Sequence, residues 1–179
     1  MLKIYSFLCA SILLACQAGA QVAPAVQAPR YTLQVGGEFS AFKPDYGAKW
    51  LLGIGAYADL DMHRWIGIEA EARTLSFNKY QNKLRMDTGS GGARFFFPYH
   101  RRLVPYAKGL VGFGSIDFPF HHPYDHDTMV MYTFGGGADY KLTHRISIRG
   151  EYEYQFWPDF LGKGLNPHGV NIGASYRIF

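Results

Sequence analysis

Cysteine is almost missing from this chain. Its 179 residues include 2, Cys9 and Cys16, and both fall within the first twenty positions. Everything beyond Ala20 therefore lacks disulfide and thiol chemistry, even in an oxidising compartment. Long apolar runs are missing as well. No stretch reaches the roughly 18 residues that a membrane-crossing helix needs. Charge of one sign is scarce, because 18 Lys and Arg against 14 Asp and Glu leave a formal +4. Without Lys3 it falls to +3, and no basic stripe offers nucleic acid a footprint. Phosphate-binding loops are excluded too. The glycine clusters at Val111-Gly112-Phe113-Gly114 and Gly135-Gly136-Gly137 are not followed by a helical pattern.

The first twenty residues have a job of their own. Lys3 precedes an apolar run from Ile4 to Ala15, and Ala18-Gly19-Ala20 follows. This is the pattern of a secretory signal peptide over 1–20, with cleavage expected before Gln21. An alternative reads Leu13-Leu14-Ala15-Cys16 as a lipobox with Cys16 lipidated, although Leu14 fits its position poorly. Residues 21–30 contain two prolines and one charge, Arg30, and read as a periplasmic linker. One domain, 31–179, remains.

Glycine and aromatic residues are abundant, with 21 Gly, 13 Tyr and 14 Phe. They occur in segments that alternate with a period of two, which signals extended strands. Ile146–Trp157 shows it most clearly. Ile146, Ile148, Tyr152, Tyr154 and Phe156 share one parity, and Ser147, Arg149, Glu151, Glu153 and Gln155 share the other. Seven further segments alternate in the same way: 31–42, 50–62, 65–77, 83–97, 103–118, 128–142 and 168–179. Each has the ten or so residues of a tilted membrane-crossing strand. Connections carrying His63-Arg64, His100-Arg101-Arg102 and His144-Arg145 are short, and those after Phe42, Phe77, Phe118 and Trp157 are longer. This asymmetry predicts an all-β, eight-stranded antiparallel up-and-down transmembrane barrel with short periplasmic turns and longer external loops. A soluble ligand-binding barrel would invert the faces, but the Gly-x-Trp signature of such proteins is offset in Gly47-Ala48-Lys49-Trp50.

The last strand carries a resemblance. Asn171, Gly173, Tyr176, Ile178 and Phe179 resemble the C-terminal signal by which barrel assembly machinery recognises its substrates, except that Phe179 falls on the polar parity. Gly173 to Arg177 is similar to the closing strand of OmpA-type barrels. Gly135 to Tyr140 with the strand that follows resembles the family of small eight-stranded outer-membrane barrels. No peptidoglycan-binding domain follows, so cell-wall anchoring is not carried over. The resemblance implies a bacterial outer-membrane location. It also implies contact with outer-membrane lipid and lipopolysaccharide, with the assembly machinery as a partner. A monomer is expected, with no nucleic acid and no cofactor.

If the apolar parity faces lipid, the lumen receives Glu38, Asp59, Glu69, Glu71, Asp139, Glu151 and Glu153. It also receives Arg73, Arg94, Lys108, Lys141, Arg149 and Arg177. Buried charges persist only when paired, and an eight-stranded barrel is just wide enough for its side chains to fill. An ion-pair network plugging the lumen is therefore expected, with inward glycines (among them Gly36, Gly114 and Gly135) giving the long side chains room.

The functional expectation is an integral membrane barrel with a structural, envelope-integrity or surface-interaction role. A narrow low-conductance channel is one alternative. The other is an adhesin or ligand-binding barrel acting through the loops at 119–127 and 158–167. His121, His122 and His126 could ligate a metal, but no scaffold for three ligands is evident and a solvated loop is expected. Ser76, Ser115, His121 and Asp125 offer catalytic residue types without a defined Ser–His spacing, so no enzyme is expected. The basic turns suit headgroup contact or simple strand termination. Trp50, Trp65, Trp157, Tyr152 and Tyr154 read as interfacial belts.

Overall fold

The computed structural model describes residues 31–45, 50–77, 85–97, 102–117, 126–158 and 164–179. The proposed leader and linker (1–30) and the candidate metal and catalytic residues His121, His122 and Asp125 lie outside them. Only the backbone of His126 is described, as the first residue of a strand.

Eight strands form where the period of two was strongest. They are β1 (Thr32–Lys43), β2 (Leu51–His63), β3 (Ile66–Phe77), β4 (Arg85–Phe96), β5 (Leu103–Asp117), β6 (His126–Lys141), β7 (Ile146–Phe156) and β8 (His168–Arg177). Each pairs antiparallel with its sequence neighbours, and β1 closes on β8 in the register Gln34↔Arg177 to Lys43↔His168. Closure satisfies the backbone all round and leaves no edge, as lipid requires. The ladder runs slightly beyond β8, since the Ile178 amide donates to the Leu33 carbonyl at 2.8 Å.

The faces are inverted relative to a soluble protein. In β7, Ser147, Arg149, Glu151, Glu153 and Gln155 are all buried, while Ile146, Ile148, Tyr152, Tyr154 and Phe156 are all exposed. An outer surface of Ile, Val, Phe and Tyr around a charged interior is stable only where lipid replaces water outside. Trp50 and Trp65 are exposed near opposite ends of the barrel. Trp157 is not. It is fully buried, which corrects its assignment to an interfacial belt. It shares the parity of Glu151, Glu153 and Gln155, so the register that turns those residues inward carries the indole with them.

Trp157 belongs to a layer absent from the expected interior. Phe42, Leu51, Leu75, Met86, Ile116, Met131, Trp157 and Leu165 form a buried apolar cluster at the end of the barrel that bears the long connections. Gly164, at φ 73°, turns the returning chain so that Leu165 exchanges backbone hydrogen bonds with Trp157 at 2.9 and 3.0 Å. Space for the indole comes from Gly114, where a Cβ would lie 2.0 Å from the ring. Space for the phenol of Tyr57 comes from Gly36 in the same way, at 2.4 Å.

Three substitutions test this packing. Gly114→Val should lower stability by about 1–3 kcal/mol through overpacking and red-shift tryptophan emission. Gly109→Val, where a Cβ meets nothing within 4 Å, should change stability by less than about 0.5 kcal/mol. Phe39, 74% exposed and paired with Ile54 and Ile172, faces lipid in the middle of β1. Phe39→Arg should cost about 2–4 kcal/mol, read from urea unfolding in phospholipid vesicles.

Candidate functional site: the charged lumen

Inward positions of seven strands, β1 to β7, converge on the middle of the lumen. There the structure brings together Glu38, Asp59, Glu69, Glu71, Arg73, Arg94, Lys108, Asp139, Arg149, Glu151 and Glu153, all buried. They form two tiers joined by Glu69.

The tier nearer the apolar cluster is built on Arg73 and Lys108. Arg73 donates through Nη1 to Glu153 Oε2 at 2.7 Å and through Nη2 to Glu38 Oε1 at 2.8 Å. Its guanidinium carbon also lies 4.7 Å from the Phe42 ring centroid, which joins this tier to the apolar cluster. Lys108 Nζ lies 2.7 Å from Glu69, 2.8 Å from Glu71, 2.9 Å from Glu151 and 2.6 Å from Glu153. An ammonium has three protons, so four carboxylates share them.

The second tier is built on Arg94 and Arg149. Arg94 donates to Asp59 at 2.7 Å and closely to Asp139. Arg149 donates to Asp139 at 3.1 Å, to Glu69 at 3.2 Å and closely to Asp59. Aromatic faces complete the tier. The Arg94 guanidinium carbon is 3.7 Å from the Tyr106 ring centroid, and that of Arg149 is 3.9 Å from the Tyr57 centroid. Arginine's planar fork suits this combination of bidentate pairing and stacking.

Lys141 and Arg177 are not drawn in. Both are half-buried beyond the second tier, and neither pairs with a carboxylate among the described residues. Of the thirteen charged residues expected in the network, eleven are therefore brought together: seven carboxylates meet four bases, an excess of three. Register explains it, since Lys141 and Arg177 sit at the strand ends, past the layer of Arg149 and Asp139. Neutral donors reach part of the surplus. Tyr106 Oη and Asn171 Nδ2 donate to Glu151, and Ser90 Oγ donates to Glu71 at 2.9 Å.

Glu71, Glu151 and Glu153 hold carboxylate oxygens within 4.8 Å of one another, a spacing that suits a cation. The Lys108 ammonium lies among them, so the chain supplies its own counter-ion.

The sequence reading missed Asp61, Tyr57 and Tyr106. Each shares a parity with a residue assigned to the lumen, so parity alone could have found them. Of the C-terminal residues, Asn171 and Gly173 face the lumen and Tyr176, Ile178 and Phe179 are exposed. Tyr176 Oη accepts from Arg145 Nη1 at 3.0 Å. Ser76 is exposed and Ser115 half-buried, on strands separated by β4.

Lys108→Met should cost about 3–5 kcal/mol, because it leaves four buried carboxylates without their ammonium. The denaturant midpoint of the refolded barrel checks this.

The outer membrane protein beta-barrel domain family matches residues 7–177. A 31 kDa outer-membrane immunogenic protein of Brucella melitensis is 24% identical over 107 residues, covering 50% of this chain and 45% of that protein. The chain thus spans about half the length of that curated relative. Among solved structures, neisserial surface protein A superposes with a TM-score of 0.65 at 9% identity, covering 82% of this chain and 96% of that one. The attachment invasion locus protein of Yersinia pestis does so with a TM-score of 0.57 at 17% identity, covering 83% and 97%. Residues 7–177 take in all eight strands, the charged lumen and the lipid-facing surface, and the chain belongs to the β-barrel family of bacterial outer-membrane proteins.

Proposed function

We propose that this barrel is closed to ions and acts as a structural or surface-interaction protein of the outer membrane, with the lumen network as its plug. The observation that carries this reading is the stack of an apolar cluster on two tiers of paired charge. A solute would have to separate Arg94 from Asp59, Lys108 from its four carboxylates and Trp157 from its neighbours in turn. Each buried pair broken leaves uncompensated charge in a low-dielectric space, and losing one partner costs about 3–5 kcal/mol.

With the lumen closed, contact with the surroundings falls to the strand ends and outer loops. A relative described as immunogenic and a structural neighbour described as an attachment and invasion protein support the surface-interaction side of this reading. The loops meant are those that the sequence places at 119–127 and 158–167. On the inner side, Arg64, Arg102 and Arg145 are exposed at the short turns, where basic residues gain about 1 kcal/mol each near anionic headgroups.

Planar-bilayer conductance of the refolded chain tests the reading. Protein shown to be folded by its heat-modifiable gel shift should give no discrete current steps. Reproducible steps that change on Arg149→Gln or Glu151→Gln would instead make the network the gate of a narrow channel.

A further inference from the structure

Below the second tier, at the end bearing the short turns, the lumen opens into a cavity of about 560 Å³. That is within the range of about 300–1,000 Å³ typical of small-molecule sites. Its walls carry Lys141 and Arg177, and Arg64 stands in its lining beside the turn.

These cations differ from the four in the network. Lys141 pairs with no carboxylate among the described residues, and Arg177 Nε is buried without a hydrogen-bond partner. Two acids share the walls. Asp139 is already held by Arg94 and Arg149. Asp61 accepts one long hydrogen bond from Gln34 at 3.4 Å and keeps its Oδ1 unpartnered, with Arg94 and then Arg177 as the cations that act on it through longer-range attraction. The cavity thus joins two cations that pair with no carboxylate among the described residues, Lys141 and Arg177, to one loosely held carboxylate, Asp61. His63 and Arg64, whose guanidinium carbon lies 5.2 Å from the Trp65 ring centroid, complete the charged lining. Ser147 and Thr32 add hydroxyls to the walls.

We propose that this vestibule binds a small molecule through an oxyanion of the phosphate-ester class. Arg177 and Lys141 hold the anion, and Arg64 stands at the entrance. A guanidinium with a free Nε on β8 and an ammonium on β6, lining one cavity across β7, provide charge-assisted donors of the kind that take phosphate oxygens. Asp61, opposite, favours ligands that also carry an amine or hydroxyl donor. Two sources share this chemistry: a soluble phosphate ester of the periplasm, and the headgroup of a phospholipid in the periplasmic leaflet. The site does not depend on whether the lumen conducts, because it lies wholly on one side of the charged tiers.

The test uses the chain without residues 1–20, refolded into nanodiscs of phosphatidylcholine and titrated calorimetrically with sn-glycerol 3-phosphate. A parallel arm refolds it into discs containing phosphatidylglycerol and counts retained lipid by native mass spectrometry. Saturable binding in either arm is expected. It should weaken about tenfold or more in the double variant Lys141→Gln/Arg177→Gln. It should persist in Arg145→Gln, which alters a basic turn residue engaged with Tyr176. Binding of glycerol phosphate points to a soluble ligand, and retention of phosphatidylglycerol alone points to the headgroup. Lys141→Gln by itself removes no ion pair, so it keeps the test open if the double variant fails to fold. Absence of saturable binding in both arms overturns the proposal. So does equal binding by wild type and by a folded Lys141→Gln or double variant.

Discussion

Burying charge in a space too narrow to hydrate it is the constraint on which the rest of this barrel depends. Closing eight strands into a ring satisfies every ladder but encloses the side chains of one parity. Polar side chains enclosed in this way must satisfy one another, because a half-satisfied network is worse than an apolar core. Glu69 shows how tightly the solution is drawn. It meets Lys108 from one tier and Arg94 and Arg149 from the other, so neither tier can shift without it. Lys108 plays the matching part for the carboxylates, as the shared partner of four.

The interior is graded along its axis as a result. Apolar residues seal the end with long connections, and Arg73 joins that seal to the charge by stacking on Phe42. The two tiers follow, with Tyr57 and Tyr106 supplying ring faces to arginines that would otherwise be under-contacted. Lys141 and Arg177, which pair with no carboxylate among the described residues, come last, in the vestibule. Glycines make the gradation possible. At Gly135 a Cβ would lie 3.0 Å from Lys108 Cε and 3.2 Å from Glu153 Cγ, so any side chain there would press on the centre of the network.

The excess of carboxylates in the tiers and the excess of bases below them are two aspects of one arrangement. Two residues deeper on the same face, Lys141 and Arg177 would bring the lumen to seven carboxylates against six bases. Instead the strand ends hold them where the barrel opens, and the charge separates along the axis. The outer surface follows a simpler rule. Lipid asks of it only apolar bulk, and Ile, Val, Phe and Tyr supply that on every strand.

Much of this could be read from the amino-acid order. Alternation with a period of two over eight segments determined the strands. The turn and loop lengths determined their antiparallel succession, and the parity of thirteen charged residues determined which face they share. Parity is a local property, and it survives folding unchanged. Which charges meet is a different matter, since Arg149 and Asp59 are ninety residues apart and only the ring's register places them in one tier. The same register sent Trp157 inward although its type suits an interface, capped the lumen with residues from distant strands, and left Lys141 and Arg177 outside the network. Depth along the axis decided each of these, and depth is set by the stagger of strands closing on one another, which no single segment of sequence contains.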